Sequence, residues 1–155
     1  MKNSILIFAF ALAAVIMLAG CKKEAPAATG PDYTTNWVGT YNIPNPANVN
    51  GVVQVQINKV NNTTLSVILK QEQFSYIYTA TTLKNVTVSA NTTLATINET
   101  ENIIEATDLG PYAFTGNIAI NNGNLALTTN AVSVRVPVNV EYSPMNFSFT
   151  GPRVE

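Results

Sequence analysis

The chain has 155 residues, of which 46% are hydrophobic and only 11% charged, with a formal net charge of −1, one cysteine and no histidine. This length suits a single modest domain, and the near-neutral charge excludes the basic face that nucleic acids require. Without histidine, and with one cysteine, the sequence excludes the common zinc sites, Ser-His-Asp and Cys-His catalysis, and an internal disulfide.

The first segment, 1–20, has the form of an export signal. Lys2 supplies a positive start, and the residues from Ile5 to Ala19 form an unbroken apolar run. A bilayer core of about 30 Å needs roughly 20 apolar residues in a helix, so this run is too short to span it comfortably. Such a run after a positive start is typical of a signal peptide, which is removed from the mature protein.

The segment ends in Leu18-Ala19-Gly20-Cys21, which places the chain's only cysteine at the expected cleavage point. These residues resemble the lipobox of bacterial lipoproteins. The resemblance implies that Cys21 becomes the first mature residue and carries acyl chains such as palmitate, which would anchor the protein to a membrane without a spanning helix. The alternative is an ordinary signal peptide cut near Ala19, which would leave Cys21 as a free thiol.

The residues after Cys21 bear on the destination of the protein. Position 22 is Lys rather than Asp, so the inner-membrane retention signal of enteric bacteria is absent, and the resemblance implies the outer membrane. Lys22-Lys23-Glu24 is also similar to the export tags of Bacteroidetes lipoproteins, with periplasmic and surface-facing display both left open. Small residues and proline give 21–33 no hydrophobic periodicity, so we interpret it as a flexible tether.

From 34 to 155 the sequence predicts one all-β domain, because apolar and polar residues alternate almost throughout. Alternation with a period of two buries one face of a strand and exposes the other, as in antiparallel sheets. Asn-rich turns separate the runs, most clearly Asn121-Asn122-Gly123-Asn124. The longest run, from Val132 to Tyr142, predicts a strand in which Pro137 marks an edge or a bulge. About eight short strands predict an antiparallel up-and-down barrel, with a β-sandwich as the alternative.

A short motif narrows the choice. Asn36-Trp37-Val38-Gly39-Thr40-Tyr41 is expected to open the first strand, directly after the tether. Its Trp37, Gly39 and Tyr41 resemble the Trp-x-Gly-x-Tyr start of lipocalins and of the lipocalin-like lipoproteins of Bacteroidetes. The resemblance implies a lipocalin-like barrel in which Trp37 closes the bottom and Gly39 permits tight packing beside it.

Few residues could carry chemistry. The sequence suggests no catalytic, cofactor-binding or metal-binding set. The densest acidic cluster could offer hard oxygen ligands to Ca²⁺, but it lacks the spacing of an EF-hand, and a solvated, charged strand edge is the favoured interpretation. It consists of Glu99, Glu101, Glu105 and Asp108. Aromatic residues on strand faces could form a platform for a sugar or an apolar ligand, although a core ladder is favoured. They are Phe74, Tyr76 and Tyr78, and then Tyr112 and Phe114.

The sequence therefore favours binding over catalysis, since the chain has no histidine and few charges that burial could tune. The leading hypothesis is a membrane-anchored binding module for a small apolar molecule, a sugar or a component of the cell envelope. The alternative is a structural or interaction subunit of an envelope assembly that has no ligand cavity. The longest polar connections, 42–51 and 98–110, are the predicted contact surface. The expected partners are the membrane, through a lipid on Cys21, and a small molecule or envelope protein, but no nucleic acid.

Overall fold

Eight consecutive antiparallel strands pair in chain order and close into a barrel. This computed structural model describes residues 30–44, 51–73, 76–90, 93–104, 111–134 and 144–154. One turn of 3₁₀ helix, Thr35–Trp37, precedes the first strand. The strands are β1 (Gly39–Asn42), β2 (Gly51–Lys59), β3 (Thr64–Gln73), β4 (Tyr76–Val88), β5 (Leu94–Asn102), β6 (Tyr112–Asn121), β7 (Asn124–Ser133) and β8 (Met145–Val154). The prediction of a barrel of about eight strands is confirmed, and the sandwich alternative is excluded because β1 pairs with β8.

The alternation in the sequence produces the core. Along most of each strand, alternate side chains point into the barrel, as strand geometry requires. The alternation is interrupted in β2 and β4, where Val52 and Val53, and Ala80 and Thr81, are consecutive buried residues. These inward side chains form one continuous hydrophobic cluster. The most fully buried of them include Val55, Ile57, Leu65, Val67, Leu69, Leu83, Ile97, Phe114, Ile118, Leu125 and Leu127.

The connections alternate between the two ends of the barrel, because each strand runs antiparallel to the one before it. The base carries the 3₁₀ turn and the connections between β2 and β3, between β4 and β5, and between β6 and β7. The opposite end, which we call the loop end, carries the connections that follow β1, β3, β5 and β7. Among the described residues, no helix has the length and hydropathy needed to cross a membrane.

The turn between β6 and β7 confirms the strongest hairpin signal of the sequence. Asn122 has φ of 50° and Gly123 has φ of 78°. Two central residues with positive φ make the type I′ turn that matches the right-handed twist of paired strands. Asn121 pairs with Asn124 across it.

The walls of the barrel differ in regularity. We call β2–β4 the bulged half, because β2 against β3 and β3 against β4 contain register shifts at Val52/Gln54, Leu65/Val67 and Leu69/Lys70. We call β6–β8 the regular half, because its registers run without a shift from β6 through β7 to β8. Strand β5 joins the two halves. It pairs along β6, but it pairs with β4 only at Thr87↔Thr96 and Val88↔Ala95.

Two details of the sequence prediction need correction. The strand expected from Val132 to Tyr142 includes only the end of β7, at Val132 and Ser133, and 135–143 lie outside the described residues. Val132 faces outward, because the inward positions of β7 are the odd-numbered ones from Leu125 to Ala131. The connection expected at 98–110 begins later, because β5 continues to Asn102.

Candidate functional site

The Trp-x-Gly-x-Tyr residues lie at the base. Trp37 is the last residue of the 3₁₀ turn rather than part of the first strand, and its side chain is fully buried. The Tyr41 hydroxyl donates a hydrogen bond to the Trp37 carbonyl oxygen at 3.0 Å. The indole nitrogen of Trp37 is buried without a hydrogen-bond partner among the described residues. Apolar packing of the ring therefore accounts for its place beneath the barrel.

Arg153 covers the same corner of the base. A Cβ on Gly39, which has φ of 154°, would lie 2.6 Å from Arg153 Nε, so glycine permits this approach. Burial raises the pKa of the Tyr41 phenol, and the nearby Arg153 charge partly offsets that rise. Tyr41 and Arg153 are also paired across β1 and β8. These residues pack together at the base, where β1 pairs with β8 and closes the barrel.

The segment before β1 is attached to the base by Asp32. Its carboxylate accepts hydrogen bonds from the Thr34 backbone and hydroxyl at 2.8 Å each and from the Thr35 hydroxyl at 2.7 Å. It also pairs with Lys59 at the end of β2. The Lys59 ammonium, followed by the threonine donors, holds the pKa of Asp32 far below its usual range. The chain thus enters the barrel from the base side.

The described core residues pack against one another in the interior of the barrel. The core residues retain at most 4% of their exposure. A side chain that lined a water-filled cavity would keep accessible surface toward it, so none of these core residues lines such a cavity. Eight-stranded barrels of this size are commonly filled in this way.

The aromatic residues singled out in the sequence fall into two groups. Tyr112 and Phe114 are buried in the core, and the Phe114 ring lies 6.1 Å from that of Phe147, centre to centre. Phe74 lies outside the described residues. Tyr76 begins β4 and is 78% exposed, whereas Tyr78 is half-buried. The three residues are thus not one strand face, because β3 ends at Gln73 and β4 begins at Tyr76.

The β3–β4 hairpin extends outward at the loop end. We call its outer part, the pairs Gln71↔Tyr78 and Gln73↔Tyr76, the lip. The register of the hairpin runs from the buried pair Leu69↔Thr81 through Gln71↔Tyr78 to Gln73↔Tyr76. The Tyr78 hydroxyl donates to Gln71 Oε1 at 3.0 Å, which fixes the ring against the neighbouring strand. The wall of the barrel therefore changes from apolar to polar and aromatic as it extends outward.

Other exposed apolar side chains, which sequence reasoning missed, lie toward the loop end on β4, on β7 and just beyond β5 and β7. We call them the loop-end rim: Ile77, Ile103, Val132 and Val134. Each is half or more exposed, and Ile103 is 64% exposed. The Val134 amide donates to the Pro111 carbonyl oxygen at 3.0 Å, which holds the ends of two connections together. The one signal for this rim in the sequence is Ile77, which breaks the alternation between Tyr76 and Tyr78.

A buried carboxylate bridges the gap between β4 and β5. Glu99 Oε1 accepts hydrogen bonds from the backbone amides of Lys84 and of Asn85, the latter at 2.9 Å, where β4 bulges. Glu99 Oε2 accepts from Asn102 Nδ2, which also donates to the Thr82 carbonyl oxygen at 2.8 Å. The side chain of Glu99 thus replaces the ladder hydrogen bonds that the two strands lack there.

This arrangement contradicts the expectation that the acidic cluster forms a solvated, charged strand edge. Glu99 is buried and Glu101 is exposed, so the two do not share a solvated face. The register shift between Glu99 and Asn102 separates them. Glu105 and Asp108 lie outside the described residues. Among the residues that the structure describes, no group of three or more potential ligands could hold a metal ion.

Comparisons with known proteins add no relative. No family model, no curated protein and no solved structure matches the chain.

Proposed function

We propose that this chain is a lipid-anchored protein of the bacterial outer membrane whose barrel binds another protein of the cell envelope through its loop-end rim. The observation that carries the proposal is the contrast between a buried core and the unequal exposure of apolar groups at the two ends. Five large apolar or aromatic side chains are half or more exposed at the loop end, whereas at the base only Val60 is among the described residues. Aromatic and apolar residues are typical of the centres of protein interfaces. The scarcity of charges and the lack of histidine support binding rather than catalysis.

The filled core favours a contact on the outside of the barrel over storage of a small apolar molecule inside it. Pockets for small ligands are usually concave and largely preformed. The described core residues pack against each other instead. An interaction subunit without a cavity, the alternative expected from the sequence, is compatible with the same rim.

The point at which the chain enters the barrel supports an orientation in which the base faces the membrane and the loop end faces the partner. The Asn62 side-chain amide donates to the Gly30 carbonyl oxygen at 3.0 Å, and the Tyr33 amide donates to the Asn62 carbonyl oxygen at 2.9 Å. Both contacts attach the incoming chain to the β2–β3 turn at the base. A lipid on Cys21 would therefore reach the barrel from the base, and the loop end would remain open to a partner.

Site-specific photo-crosslinking in intact cells tests the contact. A photoreactive amino acid at Val134 should give a discrete crosslinked protein, whereas one at Val60, an exposed valine at the base, should not. The double variant Ile77→Ser/Ile103→Ser should abolish the crosslink from position 134. Equal crosslinking from both positions, or a crosslink that survives the double variant, would reject the rim as the contact.

Lipid attachment is tested separately with Cys21→Ser. The full chain should incorporate an alkyne-labelled palmitate, enter the detergent phase and fractionate with the outer membrane. The variant should lose the label and remain uncleaved or misdirected. If the variant still entered the detergent phase as the wild type does, the lipoprotein interpretation would be wrong.

A further inference from the structure

Strand β4 leaves part of its edge unpaired at the loop end. Its pairs with β3 extend as far as Tyr76, whereas its pairs with β5 are limited to Thr87 and Val88. We call the stretch Tyr76–Ala80 the open edge, because among the described residues none forms a ladder with it on the side of β5. Backbone N–H and C=O groups alternate in direction along a strand, so the open edge presents donors and acceptors at the spacing of a sheet.

The adjacent part of β4 shows how the chain covers an unpaired edge when it has no ladder. There Glu99 and Asn102 bind backbone groups of β4 through their side chains. The exposed Lys84 also places a charge on that stretch, and charged residues commonly keep other strands away from an edge. By contrast, Tyr76–Ala80 contains no charged residue and no proline, and within the described part of the chain no side chain bonds to its backbone.

The open edge is also bordered by side chains that a partner could bury. Tyr76 and Ile77 are 78% and 59% exposed, and both are residue types that favour strands. Strand β8 offers a comparison, because it too extends beyond its pairs with β1. The exposed residues along that stretch are Asn146, Ser148 and Thr150, which present little apolar surface. The open edge of β4 thus combines unpaired backbone with exposed apolar and aromatic groups.

An extended polypeptide is the molecule whose donors and acceptors repeat at this spacing. We propose that the partner bound at the loop end adds an extended segment to Tyr76–Ala80 as an extra strand, with an apolar side chain beside Ile77. This inference rests on the proposed function and specifies how that partner binds. Ladder hydrogen bonds supply affinity, and the cross-strand contact with Ile77 supplies specificity.

Orientation favours another protein over a second copy of this chain. A two-fold dimer through the open edge would pair the two strands antiparallel and point the two bases in opposite directions. Residues 21–30 reach at most about 30 Å when fully extended, and a strand as long as β8 measures about 33 Å. The inverted copy would therefore need its whole tether to run back along the barrel to the membrane.

Amide hydrogen exchange of the full chain in detergent, read residue by residue with NMR, tests whether the edge is open in the absence of a partner. Alternate amides of Tyr76–Ala80 should exchange at least about tenfold faster than those of the β6–β7 ladder, because they have no acceptor. Protection of every amide in this stretch would overturn the proposal.

Site-specific photo-crosslinking in intact cells tests the added strand. A photoreactive amino acid is placed in turn at Ile77 and Thr79, and the crosslinked peptides are identified by mass spectrometry. Both positions should crosslink to one stretch of a single envelope protein, at sites two residues apart, because residues on one face of a strand recur every second position. Two exposed control positions should not crosslink: Thr87, where β5 already pairs with β4, and Ser148 on β8.

The possible results separate the added strand from the proposed function. Crosslinks from Val134 but not from Ile77 and Thr79, or crosslinks from those two positions to unrelated stretches, overturn the added strand and leave the loop-end rim as the contact. A shared stretch with two-residue spacing but no crosslink from Val134 upholds the strand and rejects the rim. Crosslinks to this chain itself, within one molecule or between two copies, overturn the proposal, as do equal yields from the control positions. The lack of a crosslink from every position rejects both.

Discussion

The bulged half and the regular half of the barrel arise from the same alternating pattern but use their polar groups differently. In the bulged half, register shifts turn backbone amides and side-chain amides toward one another and toward a buried carboxylate. In the regular half, the ladder runs without a shift, and most polar side chains face outward. The buried exception is Thr129, whose hydroxyl donates to the Thr115 carbonyl oxygen at 3.1 Å. An uninterrupted ladder satisfies its own backbone groups, so the regular half needs no side-chain acceptor of the kind that Glu99 provides.

The two halves also differ in the charge of their strands. Lys70 and Glu72 in β3 and Lys84 in β4 place charge on the bulged half, whereas β6 and β7 have no charged residue. Bulges are common where a strand must bend or redirect a side chain. The lip and Ile77 lie on this irregular side, whereas Val132 and Val134 lie at the end of β7 in the regular half, so the proposed contact surface includes residues of both halves.

The largest effect is expected from the core of the regular half. Phe114→Ala should lower the free energy of unfolding by about 3–5 kcal/mol, because it removes a fully buried ring that packs against Phe147. Urea unfolding monitored by the fluorescence of Trp37, the only tryptophan, measures the loss. A change below 1 kcal/mol would show that the ring is not packed as described.

The contact between β4 and β5 should be sensitive to the loss of the single buried carboxylate of Glu99. Glu99→Ala should destabilise the protein by about 2–3 kcal/mol, because it leaves the buried amides of Lys84 and Asn85 without an acceptor. Hydrogen exchange of these two amides should accelerate, while amides of the β6–β7 ladder should retain relatively more protection. The control is Glu101→Ala, an exposed neighbour, which should change stability by less than about 0.5 kcal/mol. Equal effects of the two substitutions would contradict the bridge.

The hairpin of the regular half should respond to backbone strain alone. Gly123→Ala should lower the free energy of unfolding by about 1–2 kcal/mol, because alanine is disfavoured at the positive φ of this position. A Cβ there would meet no atom within 4 Å, so no steric clash contributes to the loss. Thermal unfolding measures the shift. Gly30→Ala, also in open space but without a positive φ, is the control and should be neutral.

Sequence reasoning predicted the regular half better than the bulged half. Strict alternation and the Asn-Gly turn predict β6 and β7 with their register, because both signals are local. The bulge of β4 at Lys84 and Asn85 was not predictable, because its backbone amides donate to Glu99, whose carboxylate comes from a neighbouring strand more than a dozen residues along the chain. A lone glutamate among polar residues gives no sign that it is buried.

The candidate sites were harder to predict than the fold. Tyr76 was identified as a candidate, but its exposure depends on where the β3–β4 hairpin turns. The outward row of threonine and asparagine across β5, β6 and β7 was not predicted as a row, because these residues are common on any exposed strand. Only the register between strands places Asn117 beside Thr96 and Thr128.

The smallest effect concerns charge at the base, where the bulged half meets the entering chain. Asp32 pairs with Lys59 and accepts from Thr34 and Thr35, and these contacts hold its pKa below the ordinary value. A carboxylate with a depressed pKa in the folded state adds stability that is fully present above its unfolded pKa, about 4, and is lost as the pH falls further through the folded value. Asp32→Asn should therefore lower the melting temperature slightly at pH 7 and by less at pH 3. The difference between variant and wild type, measured by calorimetry at both pH values, isolates this group from the other carboxylates. A gap that widened toward pH 3 would have the wrong sign and would exclude the ion pair at the base as its cause. Because Asp32 is largely solvated, added salt should also narrow the gap at pH 7.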